Sequence, residues 1–312
     1  MTAETMSTAH GPATAPGVVA PGLPAGRRRA PLGRLLRAEV RWIFRRPRTL
    51  VVLALLAALP VITGIAVDLT LGGGAPVDAG PVGAGPGASD GGPPIFVTMA
   101  TSAFVLPLGS LMTLLMLMLP LTVAMASGDA LAGEQSHGTL RGWLLAPVSR
   151  GRLLFVKAVG VLVVALVASG VVVASGLVTG LLLAGTDGLV SMSGTGLSIT
   201  DVLWRLGVAV AWATLYLMAV GAVALAISAS TEHPMVVVVG VLGGLIVSVV
   251  LLQISALDWL HPYLLPSSLA SLVDLIRDPV SFDGLAEGAF RAGCYLVIGV
   301  SLAYARLTTR DG

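Results

Sequence analysis

Charged side chains are scarce in this 312-residue chain. Lys and Arg together number 18 and Asp and Glu 16, which is 11% of all residues, while 55% are hydrophobic. A soluble domain carries about 25% charged residues, so the balance excludes an ordinary water-soluble protein and identifies an integral membrane protein. Cysteine occurs once, at Cys294, which excludes an internal disulfide. The four histidines, His10, His137, His233 and His261, are scattered without metal-ligand spacing, which argues against structural zinc or haem chemistry, and no metal site is expected. Lysine also occurs once. Lys157 is followed by Ala158, so the chain has no Gly-x-x-x-x-Gly-Lys-Ser/Thr loop to cradle a nucleotide phosphate. The central parts of the apolar runs lack Asp, Glu, Lys, Arg and His, whereas ion-coupled carriers usually keep such a group at the coupling site.

What is present divides into apolar runs and polar connections. A bilayer core about 30 Å thick needs about 20 apolar residues per helix, and six runs qualify: about 50–67, 101–126, 158–184, 206–228, 235–254 and 289–305. Pro107 and Pro120 are kink sites in the second. The expected fold is an all-α membrane protein with six transmembrane helices in one membrane domain over 32–310. Residues 1–31, rich in Ala, Gly and Pro, cannot bury enough surface to fold and read as a disordered tail. The first apolar run begins only at Leu50 and no small-residue cleavage pattern closes it, which points to a retained span rather than a signal peptide. Residues 72–94, mostly Gly, Pro, Ala and Asp, read as a flexible external loop. Residues 259–276 are apolar but contain His261, Pro262, Pro266 and Asp274, and read as a re-entrant or external helix pair.

Two further patterns bear on function. Over 32–46, Leu32, Leu35, Leu36, Val40, Ile43 and Phe44 share one helical face and Arg34, Arg37, Arg41 and Arg45 the other. This is an amphipathic helix lying in the lipid interface. Glu39 breaks its apolar face and requires a partner, either an Arg of a neighbouring turn or a group on another subunit. Half of the ten methionines, Met99, Met112, Met116, Met118 and Met125, lie around the second run. They suit gap filling in a bundle or a hydrophobic substrate path along Met112, Leu115 and Met116. Nine arginines lie in 27–48, four basic residues in 141–157, and Arg306 and Arg310 at the C-terminus. That places 15 of 18 basic residues on one side, which the positive-inside rule makes cytoplasmic together with both termini.

The most distinctive stretch is 133–157, GEQSHGTLRGWLLAPVSRGRLLFVK, a polar and basic island between two apolar runs. Thr139, Leu140, Trp143, Leu144 and Leu145 recur at helical spacing, with Gly138 and Arg141 among them, and Pro147 forbids a long continuation. Ser149, Arg150 and Arg152 form a basic turn before Lys157. Glu134, then Gly138-Thr139-Leu140, Leu144-Leu145, Pro147-Val148-Ser149-Arg150 and Lys157 together resemble the cytoplasmic loop of ABC-2 type exporter permeases, although Gln135, Ser136 and His137 replace the charged pair that often follows the Glu. The resemblance implies a cytoplasmic coupling helix between spans 2 and 3. Its contacts to a separate ATPase would come from Glu134, Gly138, Thr139, Leu140, Arg141, Trp143, Leu144, Pro147, Ser149 and Arg150. It implies a non-catalytic subunit of the cell membrane that exports a hydrophobic drug, an antibiotic or a lipid. Two ATPase copies would bind ATP and magnesium, and a second permease copy, identical or related, would complete the transporter; no nucleic acid is expected. The other readings are a carrier or scaffold that uses no ATPase, and an ABC permease for ions or metal-centre maturation.

Overall fold

The computed structural model describes residues 32–72, 103–136, 150–185 and 196–309, and they are almost wholly helical. In chain order the helices are α1 (Leu32–Arg45), α2 (Pro47–Gly72), α3 (Val105–Met116), α4 (Met118–Ser136), α5 (Arg150–Ala184), α6 (Ile199–Ser230), α7 (Pro234–Leu251) and α8 (Asp283–Thr309). Two 3-10 helices, Ser255–Tyr263 and Leu265–Leu275, lie between α7 and α8. The proposed tail, most of the proposed external loop, and residues 137–149 fall outside the described residues.

Five helices among the described residues are long and apolar enough to cross a membrane, and counting α3 with α4, a pair bent by 52°, as one span makes six. The bend falls at Leu117. Pro120 is its physical cause, because a proline at this place gives no N–H to the carbonyl of Met116 and its ring crowds that turn. Pro107 sits in the first turn of α3, where a missing N–H costs nothing, and makes no kink there. The broken helix still runs the length of the bundle. At one end a Cβ on Gly180 of α5 would meet the Ala103 carbonyl oxygen at 2.7 Å, and at the other a Cβ on Gly128 of α4 would meet the Pro234 carbonyl oxygen at 3.1 Å.

Several helices exceed the sequence-based spans. α5 has 35 residues and α6 has 32, which at 1.5 Å per residue is roughly 50 Å against a hydrocarbon core of about 30 Å. The extra turns carry charge into the helices. Lys157 lies about two turns inside α5 and Arg205 inside α6, and both are buried. The expected spans start at 158 and 206, where the charge ends. The helices themselves start earlier, at Arg150 and Ile199, because a charged side chain does not interrupt backbone hydrogen bonding.

α6 is the axis of the bundle, packed against α4, α5, α7 and α8. Lipid tails are as apolar as leucine, so close backbone approach supplies the attraction between such helices. Gly299 of α8 stands so near Ala222 that a Cβ would lie 2.7 Å from its backbone, and Gly221 stands equally close to Val161 of α5. Ser228 of α6 accepts from the Ala132 amide at 3.0 Å and donates to the Gly128 carbonyl at 3.3 Å, tying α6 to α4. The short link from Ser230 to Pro234 makes α6 and α7 antiparallel neighbours, as its length requires.

The segment after α7 forms neither a span nor a free loop. Its second 3-10 helix buries Leu265, Leu269, Leu272 and Leu275 against α8 and the bundle. Arg205 donates to the carbonyls of Leu275 (3.2 Å) and Arg277 (2.9 Å) and pairs with Asp278 at 3.3 Å. Arg291 pairs with Glu287 at 2.6 Å, as the four-residue spacing predicts. It also donates to Ser267 and to the Leu264 carbonyl, which ties α8 to the 3-10 segment. Trp204, Trp259, Tyr263, Phe282 and Phe290 are exposed around this end, the composition of a membrane-interface aromatic belt.

Candidate functional site at the basic end

At the opposite end of the bundle, α1 lies against α5 and α2. Its amphipathic pattern is as the sequence predicts: Arg34, Arg37, Arg41 and Arg45 are exposed, and Leu35, Leu36, Val40, Ile43 and Phe44 are half-buried. Leu32 opens the helix. Glu39, which the sequence leaves in need of a partner, pairs with a residue that neither expectation named, Lys157 of α5, Nζ to Oε1 at 3.0 Å. The Lys157 side chain is 1% exposed and that of Glu39 12%. One turn further along α5, a Cβ on Gly160 would meet Ile43 at 3.2 Å and Glu39 at 3.3 Å. The absent side chain at Gly160 therefore lets α1 approach closely enough for the pair to form.

A second ionic contact follows where α1 turns into α2. Arg46 reaches Asp129 of α4 at 3.2 Å, and Arg48 pairs with the same carboxylate. These arginine side chains are 32% and 51% exposed, so solvent screens them and each contact is worth about 0–1 kcal/mol. The Lys157–Glu39 pair differs in kind. Removing either partner of a buried pair leaves an uncompensated charge, at a cost of about 3–5 kcal/mol. Between the two contacts runs a groove with charged walls at Glu39, Arg48, Asp129 and Lys157 and an apolar floor of Val52, Met125, Val161 and Val164.

The expected site residues divide. Arg150 is the first residue of α5, and its guanidinium donates to the carbonyls of Leu307 (2.8 Å) and Thr308 (3.1 Å) at the end of α8. These are the carbonyls that a helix C-terminus leaves without partners. Glu134 lies in the last turns of α4. Gly138, Thr139, Leu140, Arg141, Trp143, Leu144, Pro147 and Ser149 lie outside the described residues. Met112, Leu115 and Met116 share α3. Leu115 is fully buried, Met112 and Met116 pack partly against the core, and none of the three borders the groove.

The family model described as ABC-2 family transporter protein matches residues 34–281, from the first turn of α1 through the 3-10 segment. The chain belongs to the ABC-2 transporter family. Among curated proteins none matches it. It is thus the multi-pass transmembrane subunit, or permease, of an ABC transporter, a system whose ATPase is a partner protein. In this ABC-2 permease the contacts that sequence reasoning missed are Lys157, Asp129, Arg46 and Arg48. The usable signals were that Lys157 is the sole lysine of an apolar run, and that Asp129 is the first charge after Asp90.

Proposed function

We propose that this permease couples ATP hydrolysis by two copies of a separate ATPase to export across the cytoplasmic membrane. In this reading it works as a pair with a second permease copy, identical or related, with both termini cytoplasmic. ATP and magnesium belong to the partner, and this chain contributes no catalytic group. The observation that supports the reading is the connectivity at the basic end. The stretch from Gly138 to Arg150, with its Gly-Thr-Leu and Pro-Val-Ser-Arg motifs, joins α4 to α5 in sequence, and those two helices carry or meet Arg46, Arg48, Arg150 and Lys157 at this end, the residue class that the positive-inside rule keeps cytoplasmic. The absence of charge from the middle of the bundle suits a hydrophobic cargo, a drug, an antibiotic or a lipid.

In this reading Leu140, Trp143 and Leu144 supply the apolar core of the docking contact, and Arg141 adds an exposed charge worth little. The test is affinity capture of the tagged permease from its native membrane. The wild type is expected to bring down an ATPase subunit and the Leu140→Asp/Leu144→Asp double variant to lose it, while Arg141→Glu retains most of it. Full retention by the double variant removes the docking assignment.

A further inference from the structure

The bend at Leu117 opens a wedge at the basic end. α2 packs on α3 and on α5, but past the bend it does not pack closely on α4. The space between them is the groove described above, bordered by α1 and α5 and crossed at its mouth by the contacts of Arg46 and Arg48 with Asp129. Its depth follows from the chain that lines it. Arg46 and Arg48 flank Pro47, the first residue of the α2 span, so the elbow where α1 turns into α2 sets both guanidinium groups at the level where headgroups meet hydrocarbon. The floor is deeper: Val52 lies about one turn past Arg48, Met125 about one turn before Asp129, and Val161 and Val164 about one and two turns past Lys157. Left empty, such a wedge would deprive its apolar walls of contacts on one side, and apolar walls do not hold water. Lipid chains are the material at hand to fill it.

The mouth discriminates between headgroups. Arg46, Arg48 and Lys157 bring three positive charges to the groove and Glu39 and Asp129 two negative ones, an excess of one positive charge. Of these five side chains the two arginines are the most exposed, so an incoming group meets guanidinium before carboxylate. A guanidinium carries five N–H donors, which lets Arg48 take a phosphate oxygen while keeping Asp129, in the forked geometry that suits phosphate. We propose that this groove is a binding site for one anionic phospholipid of the adjoining leaflet, with the headgroup phosphate on Arg46 and Arg48 and an acyl chain along Val52, Met125, Val161 and Val164. It is a discrete site, separate from the general attraction of the α1 arginines for an anionic surface, because Arg34, Arg37, Arg41 and Arg45 do not line the groove. The leaflet is the cytoplasmic one in the orientation proposed above, and the site itself depends neither on that orientation nor on an ATPase.

The experiment uses the full permease purified in neutral detergent and titrated with phosphatidylglycerol or phosphatidylcholine of identical chains, with retained lipid counted by native mass spectrometry. The wild type is expected to hold one phosphatidylglycerol about fivefold more tightly than phosphatidylcholine, the factor that one excess charge near a headgroup supplies. Arg48→Gln makes the groove neutral and is expected to abolish that preference. Because the Arg48 contact is exposed, the variant is expected to accumulate as the wild type does. Arg37→Gln/Arg41→Gln, on the outer face of α1, is expected to keep the preference. Met125→Trp fills the floor and is expected to weaken both lipids about tenfold, as two chain methylenes losing their seat would; should it fail to accumulate, the comparison of the arginine variants decides. Glycerol phosphate, the same anion without chains, is expected not to displace the lipid at equal concentration. Displacement by it would make the groove a site for a free phosphate ester and overturn the lipid assignment. Equal affinity for the two lipids in the wild type overturns the proposal as well, as does a preference that survives Arg48→Gln but is lost in Arg37→Gln/Arg41→Gln.

Discussion

Burial changes the worth of a polar group more than its identity does, and three residues of this permease show the range. Tyr216 is almost fully buried on α6 and its hydroxyl has no hydrogen-bond partner among the described residues. An unsatisfied buried hydroxyl costs about 1–3 kcal/mol, so Tyr216→Phe is expected to leave the thermal unfolding midpoint in detergent unchanged or to raise it. The ring stacking on Trp212 at 5.9 Å is retained by phenylalanine. Arg205 is the converse case, because its guanidinium serves two carbonyls and a carboxylate. Arg205→Leu deprives them together, and with charged-group hydrogen bonds worth about 1.5–3 kcal/mol each a clear fall in the same midpoint is expected. Lys157 stands between the two, a buried charge held by Glu39 at 3.0 Å. At this scale the sequence was only partly legible. That Glu39 needs a partner follows from its place on an apolar face, but the partner is 118 residues away, and no local period encodes that distance.

Elements were far easier to read, since each announces itself by periodicity or by length of apolar run. The arginine stripe and apolar stripe of α1, the antiparallel α6–α7 hairpin and the broken second span all follow from local pattern. What the pattern left open was how far a helix continues beyond its span, as α5 does at Lys157 and α6 at Arg205. The 3-10 segment illustrates the other limit: its prolines and His261 mark it as no ordinary span, but its packing against α8 is settled by side chains distant in sequence. Two tests belong here. Leu36→Glu with Ile43→Glu places two charges on the half-buried face of α1, each replacing an apolar side chain worth about 1.5–3 kcal/mol when buried. The helix is expected to detach, read as protease cleavage near residues 40–46 in membranes where the wild type is protected. Gly180→Leu drives a side chain into the Ala103 backbone, and overpacking of about 1–3 kcal/mol or more is expected to reduce the folded permease recovered from the membrane.

For the whole molecule, the two ends differ in chemistry in a way that predicts orientation. One end gathers the arginine-rich elbow, the start of α5 and the close of α8, and the other the aromatic belt and the 3-10 helices. With the exposed Cys294 replaced by serine, single cysteines at Ser149 and Thr309 are expected to resist an impermeant external thiol reagent, while cysteines at Ser89 and Ser193 react with it. Labelling at Thr309 from outside would overturn the orientation. The unequal wiring of the two ends also sets an order of assembly during synthesis. Glu39 leaves the ribosome long before Lys157, so the basic end can close as soon as α5 is inserted. Arg205 must wait for residues 275–278, some 70 positions later, and until then its guanidinium lacks these three acceptors. A nascent permease interrupted between α7 and the second 3-10 helix is therefore half-finished at one face only, and membrane proteases should clear it faster than chains stopped after α8.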